Sequence, residues 1–241
     1  MIKITSTLDY DIHGVKVLVH SPAGGGKTWL CRTAPNNLII SAEAGLLSLA
    51  DVDIPAIEIT KLEQVNDSFR YVTESEEGKK FETISLDSIT EIAEIMLIQY
   101  KQEESDARQA YGRMNDDMAS IIRKFRDLPN RNIYFSAKQT RLVDEDIGTT
   151  RYVPSMPGKT MLNSLDYFFD EVLALRIGQL EDGTTYRYLQ TYPDINYSAK
   201  DRSGKLPLRQ KPDLQDVFNR ISRKKEDKNG ETTPSSEHSG E

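Results

Sequence analysis

Ser21-Pro22-Ala23-Gly24-Gly25-Gly26-Lys27-Thr28 is the stretch on which the reading of this chain turns. Before it, Gly14 to His20 reads Gly-Val-Lys-Val-Leu-Val-His, a β-branched run of the kind that makes a buried strand. After it, Trp29 to Thr33 looks like a helical turn, stopped by Ala34-Pro35-Asn36. Strand, glycine-rich loop and helix in that order are the setting of a phosphate-binding loop. Glycines let successive backbone N–H groups turn toward phosphates, and the helix start adds positive potential. Lys27 would reach the β and γ phosphates, and Thr28 would hold Mg²⁺. Ser21 stands where the pattern has its first glycine, a small residue in place of a smaller one. The candidate nucleotide-binding residues are Ser21, Pro22, Ala23, Gly24, Gly25, Gly26, Lys27, Thr28 and Trp29.

Working outward, apolar runs at Leu38 to Ser41, Ala56 to Ile59, Thr83 to Leu86 and Ile133 to Ala137 read as short buried strands. Leu62 to Val72, the face Ile89, Ile92, Ala93, Met96 and Tyr100, and Asn115 to Leu128 read as helices. This alternation predicts an α/β fold with a mostly parallel central sheet. Gln139 to Met156 is polar and long enough to be a functional loop or a hairpin. Gly158 to Phe168 reads as a helix. Glu171 to Ile177 and Thr185 to Thr191 flank Glu181-Asp182-Gly183 as a C-terminal β-hairpin, and Leu214 to Ile221 closes the fold. Ser222 to Glu241 contains no apolar residue, so a core over 1–221 with a disordered polar tail over 222–241 is expected.

A second Gly-Lys-Thr, at Gly158, Lys159 and Thr160, lacks a preceding apolar strand and has Val153 where a loop would begin, so it reads as a helix start. If Lys27 binds phosphate, a magnesium-organising carboxylate should end a buried strand further on, and Asp87 after Thr83-Ile84-Ser85-Leu86 is the candidate. The attacking water needs a carboxylate too. In AAA+ proteins it follows the strand-end Asp directly, but here Ser88 does, which disfavours that reading. Glu43, just past Leu38-Ile39-Ile40-Ser41, is the alternative.

Composition bounds the rest. The 241 residues carry 31 Lys plus Arg against 38 Asp plus Glu, a net charge of −7. The only cysteine is Cys31, and His13, His20 and His238 do not cluster, which excludes disulfide and metal scaffolds. No apolar run approaches the ~20 residues that span a bilayer, and the first ten residues lack the halves of a signal peptide, so a soluble cytoplasmic protein is expected, without a membrane partner. The charge is polarised: Glu43 to Asp106 holds 16 acids and 5 bases, Ser120 to Arg141 6 bases and 1 acid, Ser198 to Lys211 5 bases and 1 acid. Solvated faces account for such runs, and two of them in an acidic chain shift the balance only modestly toward a nucleic-acid partner.

Together these residues resemble the RecA-like ATPases, in which a Glu after the second strand activates water and an Asp-Ser pair ends the magnesium strand. The resemblance runs from Gly14 to about Leu206 and is closest to the minimal phage-encoded ATPases of single-strand annealing and recombination. It implies ATP and Mg²⁺ as ligands, catalytic roles for Lys27 and Glu43, and a γ-phosphate sensor at Lys138 or Gln139. Thr28 and Asp87 would be the metal residues. The resemblance also implies DNA-binding loops over Lys101 to Arg113 and Thr140 to Met156, with Arg108, Arg113, Arg141, Arg151 and Tyr152 facing single-stranded DNA. Lys200 and Arg202 would reach the ATP of the next subunit in a homo-oligomer, filament or ring. A single-strand-binding protein is a further implied partner, and the host cytoplasm the implied location. A small-molecule P-loop kinase and a nucleotide-binding scaffold or packaging protein without DNA affinity are the rival readings.

Overall fold

The computed structural model of the chain describes residues 14–43, 45–144 and 148–222. The expected tail over 222–241 therefore lies, apart from Ser222, outside the described residues. Six strands run parallel: β1 (Lys16–Ser21), β2 (Asn37–Ser41), β3 (Ala56–Glu58), β4 (Thr83–Asp87), the first half of β5 (Asn132–Asp144) and β7 (Glu171–Gln179). Antiparallel strands β8 (Thr185–Gln190) and β10 (Arg209–Gln210) extend one edge, giving the order β10-β8-β7-β1-β5-β4-β2-β3. Short β9 (Lys200–Asp201) pairs antiparallel with the start of β7.

The alternation of side chains along each strand divides the core into two layers. Leu18, Leu38, Ile40, Ile84, Leu86, Ile133 and Phe135 face α2 (Leu62–Glu74), α3 (Ile89–Glu103) and α4 (Ala107–Arg126). Val17, Val19, Ile39, Tyr134, Leu173 and Leu175 face the opposite way, onto α1 (Lys27–Leu30) and α6 (Leu214–Ser222). This is the α/β architecture expected from the strand and helix alternation, and it sets the C-terminal ends of β1, β2, β4 and β5 side by side, where open α/β sheets bind ligands.

Local structure departs from expectation around the start of α4 and after the phosphate loop, and of the two readings of residues 139–156 the hairpin holds. Residues 101–113 do not form a loop: α3 runs to Glu103 and α4 begins at Ala107, capped by the Asp106 carboxylate accepting from the Arg108 amide at 2.8 Å. Helix α4 starts well before Asn115 because Ala110 already belongs to the buried stripe that continues through Met114, Met118, Ile121, Ile122 and Phe125. Residues 139–156 are a ribbon in which β5 continues to Asp144 and pairs antiparallel with β6 (Thr149–Pro154). The helix after the phosphate loop is one turn long, followed by a 3₁₀ turn at Cys31–Thr33, so loop amides and Lys27 must supply the positive potential rather than a helix axis. At the second Gly-Lys-Thr, Gly158 takes φ 80° and α5 (Lys159–Ser164) starts behind it.

The start of β7 carries a titratable pair with consequences for stability. Glu171 is only 2% exposed and accepts from the Ser203 amide at 3.1 Å, opposite Asp201 of β9. Burial, and then the Asp201 charge, push its carboxyl up to about 8. Between the ordinary carboxylate range and 8 the folded chain holds a proton that the unfolded chain has lost, so stability is fully present at the acid end and declines as pH rises. The unfolding temperature is expected to fall by several degrees between pH 5 and 8, and Glu171→Gln to flatten that slope. Parallel slopes in melts of the two proteins would show that Glu171 does not hold the proton.

Candidate active site

The phosphate loop leaves β1 at Ser21 and closes on the Lys27 turn. Gly26 has φ 110°, a conformation that a side chain disfavours. A Cβ on Gly25 would lie 2.4 Å from Ser21 Oγ, so the serine in the first-glycine position is accommodated by the glycine it packs against. Pro22, Ala23 and Gly24 are exposed. Lys27 is only 7% exposed. Its ammonium donates to the Ser21 and Pro22 carbonyls at 3.2 and 3.4 Å. Tyr134 fixes the turn from below, its hydroxyl donating to the Lys27 carbonyl at 2.9 Å.

Parallel pairing carries the acidic residues to the same edge. Ser41 of β2 lies opposite Asp87 of β4, and the Asp87 carbonyl accepts from the Ala42 and Glu43 amides, which turns the chain after β2 over the end of β4. Thr28 Oγ1 donates to Asp87 Oδ2 at 2.7 Å, and Ser136 of β5 donates to Asp87 Oδ1. Ser88, joined to Asp87 by a cis peptide bond, donates to Glu43 Oε1 at 2.6 Å. Lys27, Thr28, Glu43 and Asp87, four residues spread over 61 positions, thus converge. Burial raises the Asp87 carboxyl above its usual range, against the hydrogen bonds from Ser136 and Thr28; burial also lowers the Lys27 ammonium, which the Glu43 and Asp87 charges oppose. A fully buried carboxylate touching a hydroxyl is an all-oxygen donor pair of the hardness that Mg²⁺ takes, so the residues fit that ion.

The two sensor candidates are each engaged by other side chains. Lys138, opposite Ser21 in the register, is held by Glu91 and Glu94 of α3 at 2.5 and 2.8 Å. Gln139 places its amide 3.1 Å from Nδ1 of buried His20, whose Nε2 is 2.9 Å from the Ser198 carbonyl. Burial lowers the His20 pKa, and the imidazole links the strand before the loop to the root of the ribbon.

The candidate DNA residues do not share one surface element. Arg141 and Arg151 are exposed on the ribbon, and Tyr152 opposes Arg141 there. The Tyr152 ring stacks on Tyr197 at 4.9 Å between centroids, and Arg176 covers Tyr197 at 4.0 Å, so one face of Tyr152 is already taken. Arg108 and Arg113 sit on α4, and Arg113 is paired with Glu103 at 2.7 Å over the Tyr100 ring. Lys200 donates to the Asp166 carbonyl and Arg202 to the Asp170 carboxylate, each at 2.6 Å. They lie toward the start of β7, where Glu171 faces Val17, at the end of β1 away from its own loop.

Sequence reasoning missed Ser136 and Arg187, and it named Ser88 without its bond to Glu43. A lone serine in the apolar run Ile133 to Ala137 was a legible signal. Arg187 of β8, whose Nε donates to the Gly25 carbonyl at 2.9 Å, carried none, since 162 residues separate the two.

A phosphate-binding loop, a lysine at its end and a strand-end aspartate on the threonine that follows define a P-loop nucleotide-binding domain. The family model described as an AAA domain, AAA_24, matches residues 13–203, and the chain belongs to that family. Ser88 therefore does not set the chain apart from AAA-type domains, as its position after Asp87 had suggested. What remains is a residue-level difference, the carboxylate near Asp87 coming from Glu43. No curated protein matches the chain. Among solved structures it is similar to a KaiC-like protein from the hyperthermophilic archaeon Pyrococcus horikoshii OT3, at 14% identity over 74% of this chain and 78% of that one, TM-score 0.38. It is also similar to an ATPase from the type III secretion system of pathogenic bacteria, at 15% identity over 68% of this chain and 52% of that one, about half its length, TM-score 0.46. Among the described residues no helix is long and apolar enough to cross a membrane.

Proposed function

We propose that the chain hydrolyses ATP and couples the nucleotide to single-stranded DNA, acting as an oligomer that promotes annealing or strand pairing. The observation that carries the reading is the convergence of Lys27, Thr28, Glu43 and Asp87 at the strand edge from which the β5–β6 ribbon projects. Lys27 binds the terminal phosphates. Thr28 and Asp87 would hold Mg²⁺, which when bound neutralises phosphate charge. Glu43, oriented by Ser88, accepts a proton from the water whose oxygen bonds the γ-phosphorus as the bond to the bridging oxygen breaks. Gln139 and His20 connect the loop to the ribbon, whose Arg141 and Arg151 contact the DNA backbone. Lys200 and Arg202, remote from their own loop, are assigned to a neighbouring copy's nucleotide.

Strand binding is tested by titrating labelled single-stranded DNA at several salt concentrations with ATP present. The double variant Arg141→Ala, Arg151→Ala is expected to weaken binding for all sequences alike and to reduce the slope of log affinity against log salt by about 1.4, roughly 0.7 for each phosphate that is no longer neutralised. An unchanged affinity and slope would remove the ribbon from the DNA site, and no binding by the parent protein would leave a nucleotide-dependent scaffold as the better account.

A further inference from the structure

The two flanks of the phosphate loop differ in chemistry. On the β5–β4 side stand Lys27, Thr28, Asp87 and Glu43, all polar and converging. On the β7–β8 side a cavity of about 240 Å³ opens directly against Gly26, lined by Trp29, Leu175, Ile177, Tyr186, Arg187 and Pro212. That volume is below the ~300–1,000 Å³ that encloses a whole drug-sized ligand, so it suits one end of a longer molecule.

Arg187 roofs the junction between loop and cavity. Its Nε is held by the Gly25 carbonyl, and a Cβ on Gly26 would lie 3.4 Å from the same nitrogen, so the guanidinium rests on the glycine backbone. Among the described residues no carboxylate lies within ion-pair distance of Arg187, whereas Arg32, Arg113, Arg126, Arg176 and Arg202 each have one. Arg187 is thus an exposed cation fixed at one nitrogen, with two further donor nitrogens, at the mouth of a cavity with aromatic walls. A nucleotide with its terminal phosphates at Lys27 and Asp87 has its other end to place, and this flank offers an apolar, ring-lined space for it.

We infer that the cavity between α1 and the β7–β8 hairpin seats the base of the bound nucleotide, with Arg187 of the same chain clamping the base-proximal end; this rests on the phosphate-loop reading above. Trp29, 42% exposed, is the only tryptophan of the chain and reports on the cavity directly. Two probes separate the ends of the ligand: ADP carries a base, and inorganic tripolyphosphate does not.

ADP is expected to change Trp29 emission saturably, and tripolyphosphate, bound by calorimetry, to leave it unchanged. Arg187→Ala, at an exposed position that leaves the fold intact, should weaken ADP at least tenfold and tripolyphosphate less than threefold. An equal loss for both probes, or an equal emission change with both, overturns the base site and leaves the phosphate loop standing. Tripolyphosphate binding as tight as ADP does the same. If neither probe binds the parent protein, the phosphate-loop reading falls and this one falls with it.

Discussion

Lys27→Ala is expected to abolish nucleotide binding, with ATP affinity falling on the order of 10²-fold or more, as the removal of charge-assisted hydrogen bonds of a few kcal/mol implies. The ammonium is enclosed by the loop, hydrogen-bonded to two of its carbonyls and opposed to the charges of Glu43 and Asp87. Lys138, the nearest alternative by register, does not take its place, being committed to Glu91 and Glu94. The buried location adds a second effect. Removing the cation leaves two carboxylates facing each other, so a modest drop in unfolding temperature should accompany the loss of binding. Calorimetric titration with ATP and a thermal melt measure the two, and ATP affinity within threefold of the parent would refute the phosphate-loop reading.

Glu43→Gln should separate binding from turnover. The glutamine carbonyl can still accept from Ser88 Oγ, which keeps the side chain in place, but it cannot take a proton from water. ATP binding is expected to be nearly unchanged, with single-turnover hydrolysis slowed about 10²- to 10⁴-fold, the usual contribution of a positioned base. Hydrolysis at the parent rate would move the base to another residue.

What sequence made legible was what lies close along the chain. Ser21 to Thr28 announces itself through glycine spacing and its place between strand and turn, and Asp87 through an apolar run that stops at a carboxylate. Glu43 was reachable because parallel strands end at one edge, so a residue just past β2 must come near a residue at the end of β4. Register was not reachable. That Ser136 meets Asp87 and Arg187 meets Gly25 depends on which strands are neighbours and by how many residues they are offset, a tertiary property that no local periodicity encodes. Residues 107–112, Ala-Arg-Gln-Ala-Tyr-Gly, hid the first turns of α4 because they carry few apolar residues and contain a glycine; the Asp106 cap and the packing of Ala110 and Tyr111 secure them.

Strand β5 is a single uninterrupted piece of backbone, its first half buried between β1 and β4 and its second half standing clear of them as the ribbon. In mechanical terms it is a lever whose fulcrum lies at Gln139, where His20 grips it. The long arm, Gln139 to Asp144, whose partner β6 is hydrogen-bonded to Asn196 and Ser198, is about 20 Å long at ~3.4 Å per residue. A tilt of about 5° at the fulcrum would move Ser136, about 10 Å down the short arm, by just under ~1 Å and swing the tip by roughly 2 Å. The short arm is tied to the strand-end aspartate and the long arm carries Arg141, so the gain of the device is fixed by how far the ribbon extends. Shortening the ribbon by one residue pair would reduce the stroke at its tip without altering anything at the fulcrum.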